Sequence, residues 1–354
     1  MSRRKPFSLK VSLARKRFAT RIAINKLLLK LGLANTKCSL TLVAMVKNEI
    51  DILDAFILQA LTLFDRVILL DHASTDRTNE YIAYVSALHP KVEYYALNMM
   101  GIYQSESMTW VAETLISTDE KGWVFMLDAD EFLPCASREE LEQMLAPFSA
   151  YPIISMPWIN LIPASFEHED LEAERLHMSA AVSHHIKVAF QPWQLRHYHY
   201  IITQGNHSII NSDTHKNFPA KHAFPLWHIP VRSKAHIVGK IDRLMQAYEI
   251  RKTTYVTHYS SMLALAKHHH FSDDVLAYVT AHYGEVVDEK TFDAPLPHRA
   301  TLQGVAITVP FVNSRSALCQ QYGIMPSATF NMPVPQTGRA IIFHPEDKRF
   351  TFAE

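Results

Sequence analysis

Across 354 residues, Lys and Arg balance Asp and Glu at 35 each, and apolar types make up 48% of the chain. That length can bury a full core in one large domain or two, and the composition is that of an ordinary soluble protein. Cys38, Cys135 and Cys319 have neither pairing nor metal-ligand spacing, which excludes a disulfide framework and makes a reducing, cytoplasmic location the expectation.

The balanced total hides an asymmetry. Residues 1–47 hold twelve Lys or Arg and no acid, leaving 23 basic residues against 35 acids in the remainder. The stretch "SLARKRFATRIAINKLLLKLGL" sets Leu13, Phe18, Ile22, Leu27, Leu28 and Leu31 among basic residues, as an interfacial amphipathic helix does. It is too charged, and its apolar run too short, for a secretory signal or a membrane span. Residues 1–37 are therefore expected to form a basic amphipathic segment whose partner is an anionic membrane surface on the cytoplasmic side. A helix packed on its own domain and a free basic tail are the alternatives. No interleaved aromatic platform is present, so no nucleic acid is expected.

From residue 39 strand and helix alternate. "SLTLVAMV" reads as a strand, "EIDILDAFILQALTLF" as a helix, "RVILLD" as a strand, "TNEYIAYVSALH" as a helix, "KVEYYAL" as a strand and "ESMTWVAETLIS" as a helix before the apolar strand "WVFML". Such alternation predicts βαβ units around a mainly parallel, Rossmann-like sheet flanked by helices. The catalytic domain is expected over 38–235. Beyond it, 236–354 is expected to be a mostly helical extension with short strands. "AHIVGKIDRLMQAYEIRK", "YSSMLALAKHHH" and "DDVLAYVTAHYGEVV" read as helices, while "GVAITVPFV" and "RAIIFHPE" read as strands.

Ligands bind beyond the carboxyl ends of strands in such sheets, and both acidic clusters, "LLDHASTD" and "MLDADE", fall at that edge. Asp128, Asp130 and Glu131 repel one another unless a cation or a hydrogen-bonding ligand compensates. A hard divalent ion shared with substrate phosphates would do so; a solvated acidic strand exit is the plain alternative.

Three motifs in order, Met45 to Glu49 ("MVKNE"), Asp71 to Asp76 ("DHASTD") and Asp128 to Phe132 ("DADEF"), resemble the bacterial family 2-like glycosyltransferases of GT-A fold. The resemblance extends weakly to "GNH" at 205–207 and "WHIPVRS" at 227–233, so it spans roughly residues 40–245. It implies a nucleotide-diphosphate sugar as donor, a divalent metal (Mn or Mg), and a glycan, lipopolysaccharide or lipid-linked acceptor. Carried over, Lys47, Asn48, Glu49, Asp71 and Asp76 become nucleotide-side contacts. Asp128 becomes a ribose or metal-shell contact and Asp130 the direct metal ligand, with Glu131 in the same catalytic cluster. The family pattern has Gly where this chain has Ala73 and Arg77, and a left-handed turn at Arg77 would strain it most.

Cleaving a sugar–phosphate bond builds negative charge on the departing diphosphate, which positive groups stabilise. Lys187, His207, His228 and Arg232 are the candidates, and His228 also for the metal shell. Glu169, with Glu167 and Asp170 in "SFEHED", is the candidate base for the acceptor hydroxyl; a solvated loop is the rival reading. Trp158 is either a sugar platform or core. Twenty histidines raise a metal-dependent hydrolase as a rival, with "HYH" at 197–199 and "HHH" at 268–270 as its best evidence, although no HExxH spacing occurs. A nucleotidyl- or phosphotransferase would also use the acidic motif but lacks a Gly-rich phosphate loop. A non-catalytic binding module is opposed by intact Asp128 and Asp130.

Overall fold

The computed structural model describes residues 16, 18–27, 31, 38–97, 101, 103–118, 121–168, 170–181, 183–251, 271–285, 287, 289–333 and 338–353, with backbone alone over 243–251. It is a mixed α/β structure whose central sheet is largely parallel and flanked by helices, compatible with a Rossmann-like fold. Strands β1 (Ser39–Val46), β2 (Arg66–Asp71), β3 (Val92–Leu97) and β4 (Gly122–Met126) lie side by side in the order β3-β2-β1-β4, all parallel. Every residue of β4 is buried, as an apolar run covered on both faces requires.

The crossovers are α2 (Leu53–Leu63), α3 (Thr78–Leu88) and α4 (Gln104–Thr114). Because β2 and β4 flank β1 on opposite sides, the strand order reverses at β1. In such sheets the region beyond the carboxyl end of the strand at which the order reverses is where ligands bind.

Beyond β4 the sheet turns antiparallel. Strand Ile186–Phe190 pairs antiparallel with both β4 and β6 (Ile153–Pro163). Two cores pack the faces. One joins α2, α3, α5 (Arg138–Leu145) and the C-terminal helices through residues such as Phe56, Tyr81, Leu141 and Phe311. The other joins α4 to Phe18, Ile202 and Phe343.

The C-terminal region is part of this sheet as well as a helical cover. Strand Arg339–His344 adds parallel to β3, and Arg349–Phe352 closes the edge antiparallel to it. The expected strand "GVAITVPFV" ends at Ile307, and Pro310 opens a short helix instead, the position where a missing N–H costs nothing. The expected helix "YSSMLALAKHHH" lies outside the described residues.

The N-terminal helix α1 (residues 18–27) packs on the domain. Phe18 is buried against Tyr198 and Phe218. Arg21 donates to the Trp193 carbonyl at 3.0 Å, and Asn25 donates to Gln194 Oε1 at 2.8 Å. Among the described residues no helix is long and apolar enough to cross a membrane.

Candidate functional site

The acids stand where β4 leaves the core. After Met126 the chain turns through Asp128 to Asp130 and enters the two-residue strand β5 (Glu131–Phe132). β5 pairs antiparallel with strand Leu226–His228, which runs parallel to β6, and the register sets His228 opposite both Glu131 and Asn160. Gln59 on α2 clamps the turn from beneath, donating to the Glu131 carbonyl at 3.1 Å and accepting from the Leu133 amide at 2.6 Å. Three distant segments thus converge through backbone pairing, leaving little freedom to the side chains they carry.

Glu131 is the organiser of this cluster. Its Oε1 accepts from Trp158 Nε1 at 2.8 Å and lies 3.1 Å from Lys187 Nζ, while its Oε2 accepts from the Asp128 amide at 3.0 Å. Burial, together with the Asp128 and Asp130 charges, raises its carboxyl above the ordinary value, and Lys187 opposes that rise. Lys187, also fully buried, is held charged by Asp128 and Glu131 despite desolvation. The two partners pull in opposite directions. Three converging donors leave Glu131 no acceptor for a proton of its own, which favours the carboxylate at neutral pH.

Asp130, Glu131 and His228 form a buried group whose ligand atoms lie within 4.8 Å of one another. The fit to a cation is tested by Asn160. Its amide nitrogen lies 3.3 Å from the carbonyls of Ala281 and of Tyr283 and donates to both, so its Oδ1 must accept from His228 Nδ1, 2.8 Å away. That bond fixes the tautomer and leaves a lone pair on Nε2, 3.6 Å from Asp130 Oδ2. Burial lowers the His228 pKa even beside Asp130, so the ring stays neutral as a ligand must. A lone pair facing a carboxylate oxygen calls for a cation between them. In the structure Lys240 partly answers, its Nζ 3.3 Å from Asp130 Oδ2 and 5.0 Å from the centre of the Tyr283 ring. Burial would raise the Asp130 pKa, but the neighbouring cations, Lys240 first and then Arg232, hold it well below the usual carboxylate range.

Arg232 forms the second charged knot. Fully buried, it meets Glu49 at 2.5 Å and both oxygens of Asp51 at 2.6 and 2.9 Å. Glu49 is pushed up to about 7 by burial against the pull of Arg232, while for Asp51 the guanidinium overrides burial and holds it down at about 2. Arg232 Nη1 and both ring nitrogens of His236 are buried with no hydrogen-bond partner among the described residues. A buried guanidinium N–H left open beside an acidic cluster marks a place for a ligand oxygen.

At the end of β2 the loop is braced by Asn48, which has φ +55°. Its side chain accepts from the amides of Thr75 and Asp76 at 2.6 and 3.3 Å and donates to Thr75 Oγ1 at 3.0 Å. Asp76 accepts from the Thr78 and Ile50 amides at 2.9 and 3.4 Å. Both residues serve the loop. Asp71 differs, because Oδ2 accepts from Ser74 while Oδ1 is buried and, like His72 Nε2, has no hydrogen-bond partner among the described residues. The left-handed residue is Ala73, at φ +50°, whereas Arg77 has φ −88°. The strain expected at Arg77 falls on Ala73, and Arg77 instead pairs with Glu80 and donates to the Met332 carbonyl.

Of the residues singled out in the sequence, the fold brings Glu49, Asp128, Asp130, Glu131, Lys187, His228 and Arg232 into one charged cluster. Asp128 is held between Lys187 and Gln104 Nε2. Lys47 bears electrostatically on Asp71 and His72. His207 lies edge-on to Trp158 with Nδ1 2.6 Å from the Ile186 carbonyl. Glu169 lies outside the described residues; its neighbours Glu167 and Asp170 are tied to Lys234 and Arg315. Trp158 stacks on His228 at 4.0 Å and is buried, so it positions the site and is not a sugar platform. His197 and His199 are exposed and stand outside the group; "HHH" at 268–270 is not described.

Sequence reasoning missed Asn160, Lys240, Gln104 and Asp51. Asn160 alone left a signal, as a polar residue in an apolar strand two positions from Trp158. A comparison with protein-family models and with curated proteins returns no match.

Proposed function

We propose that this chain is a metal-dependent glycosyltransferase of GT-A type, moving a sugar from a nucleotide-diphosphate sugar to a glycan, lipopolysaccharide or lipid-linked acceptor. What supports this above all is the buried Asp130–His228 pair at the carboxyl edge of the sheet, with the His228 Nε2 lone pair turned toward Asp130 Oδ2. Asp130 and His228 would hold the ion, with Asp128 beside them. A carboxylate next to an imidazole tilts the choice from Mg toward Mn. Bound there, the ion supplies Lewis-acid neutralisation of the diphosphate.

The chain's own groups do the rest. Arg232 would present Nη1, buried and without a partner among the described residues, to a phosphate oxygen, and Lys240 adds a second positive charge beside Asp130. Together they favour the charge that builds on the leaving group. Lys187 keeps Asp128 and Glu131 in place and so acts on the reaction through them. Asp71 offers Oδ1 to the nucleoside. A cytoplasmic enzyme agrees with a nucleotide-sugar donor and with Cys38, Cys135 and Cys319 as free thiols.

The test is a panel of nucleoside-diphosphate sugars incubated with Mn and no added acceptor. Release of nucleoside diphosphate from one base class by the wild type, and none by Asp130→Asn, is the expected result. Release of a sugar phosphate instead would assign the site to phosphoryl or nucleotidyl transfer. Equal turnover by the two proteins would remove Asp130 from the chemistry.

A further inference from the structure

Helix α1 has two apolar faces, and the domain uses one. Phe18, Ile22 and Asn25 face inward, and Lys26 sits 4.9 Å over the Tyr151 ring. On the opposite side Ile24, Leu27 and Leu31 are 52%, 57% and 59% exposed. Spacings of three and four put them on one stripe, and the Leu31 amide donates to the Leu27 carbonyl at 3.0 Å. Lys16, Thr20 and Ala23 are exposed beside them. Three aliphatic side chains in line, on a helix whose packing face is already satisfied, form a contiguous apolar patch that asks for a partner.

The surrounding charge says which partner. The stripe lies within residues 1–37, which carry eleven Lys or Arg and no acid, on a chain whose remainder carries 35 acids against 24 basic residues. An anionic surface attracts this helix and repels the rest, leaving one face for contact. We propose that the exposed face of α1 docks on an anionic lipid bilayer, with Ile24, Leu27 and Leu31 at the acyl boundary and the basic residues against lipid phosphates.

Packing and docking are here two faces of one helix, and not rival fates. Because α1 is fixed to the domain through Arg21, Asn25 and Lys26, it acts as a rigid foot and not a tether. Its contacts at Trp193, Gln194 and Ala150 follow strand Ile186–Phe190 and precede β6. Both points belong to the sheet edge opposite the acidic cluster, since Phe190 pairs with Val124 near the start of β4. The anchored protein thus keeps its acidic crevice clear of the foot. This inference does not depend on the reaction catalysed there.

Truncating α1 would bare Tyr198 and Phe218, so the test uses the full chain. Wild type and the triple variant Ile24→Ser, Leu27→Ser, Leu31→Ser are sedimented with phosphatidylglycerol-rich and with pure phosphatidylcholine vesicles, at low and high salt. We expect the wild type to bind the anionic vesicles at low salt and to be released by high salt. The triple variant, with an unchanged melting temperature, should lose at least about tenfold in partitioning. Leu27→Trp keeps the stripe apolar and should bind, its fluorescence quenched by brominated lipid. The proposal is overturned if wild type ignores anionic vesicles at low salt, or if the triple variant binds as wild type does. A wild-type dimer in solution that the triple variant converts to monomer would assign the stripe to a second copy of the chain, and would overturn it equally.

Discussion

Lys240 reaches from helix Lys234–Arg251 to Asp130, placing Nζ 3.3 Å from Oδ2, on the same carboxylate oxygen that faces His228 Nε2. The ammonium therefore compensates Asp130 while competing with any cation that Asp130 and His228 would share. Lys240→Met should tighten Mn binding, by roughly tenfold for one unit charge removed from a partly buried site. It should also slow donor cleavage, because the leaving diphosphate loses a positive neighbour. Mn titration by electron paramagnetic resonance, paired with turnover, checks both signs. Weaker Mn binding in the variant would place Lys240 among the groups that build the site and not among those that compete for it.

Asn160 offers a separate handle on the same ion. Asn160→Ala removes the acceptor of His228 Nδ1 and frees the ring to take the wrong tautomer or orientation. Loss of such a supporting hydrogen bond typically costs 10- to 100-fold in metal affinity, and we expect a loss in that range. Stability should fall by about 1–3 kcal/mol, since the carbonyls of Ala281 and Tyr283 also lose a donor. Unchanged Mn affinity with that stability loss would show Asn160 to be a core residue alone.

The strands and their acidic ends were legible because apolar runs and helical spacing are local signals. β1, β2 and β4 fall on the predicted segments, and Asp71 and Asp128 stand at their carboxyl ends. His228 was singled out for the metal shell through the resemblance, but the pairing that carries it to Asp130 was not legible. His228 reaches it because a two-residue strand pairs with Leu226–His228 in one register, and no local pattern encodes pairing across so long a separation. Lys240 left no mark, being one lysine on an ordinary helix. Trp158 stayed open between platform and core because a buried aromatic and a sugar platform look alike in sequence; its burial and its Nε1–H bond to Glu131 decide for the core. Ala73 took the left-handed conformation because the Asn48 braces on Thr75 and Asp76 pin the loop just beyond it.

The Arg232 knot predicts an acid-sensitive component of stability. Asp51 is held at about 2, below its ordinary 3.8, by Arg232 acting against burial. A depressed carboxyl stabilises the fold above its unfolded pKa, and that stability is lost as pH falls through the folded value. Asp51→Asn should therefore cost at least about 2 kcal/mol at neutral pH. The gap to wild type should narrow as pH drops from about 4 toward 2. Urea unfolding across that range measures it, and a gap that does not change with pH would mean that the Asp51 charge is not what Arg232 stabilises.

Asp71 and Asp76, five residues apart, should separate cleanly on substitution. Asp71 has one carboxylate oxygen that is buried and without a partner among the described residues at the end of β2, whereas the oxygens of Asp76 accept the backbone amides of Thr78 in its own loop and of Ile50 after β1. Asp71→Asn keeps the shape but removes the charge that would accept a nucleoside hydroxyl or base N–H. Its effect should appear in nucleoside-diphosphate affinity, at about 1.5–3 kcal/mol, roughly 10- to 150-fold. Asp76→Ala instead orphans the Thr78 and Ile50 amides and should lower the melting temperature first, weakening the nucleotide only as far as the loop loosens. Ala73→Gly is the control for that loosening, because glycine accepts φ +50° without a Cβ. It should gain about 0.5–1 kcal/mol of stability and leave the nucleotide affinity of the Asp71 background unaltered. Calorimetry and thermal melts on the three variants decide the matter. If Asp71→Asn binds nucleoside diphosphate as wild type does and only its melting point drops, Asp71 is a turn residue like Asp76, and the base is recognised elsewhere in the crevice.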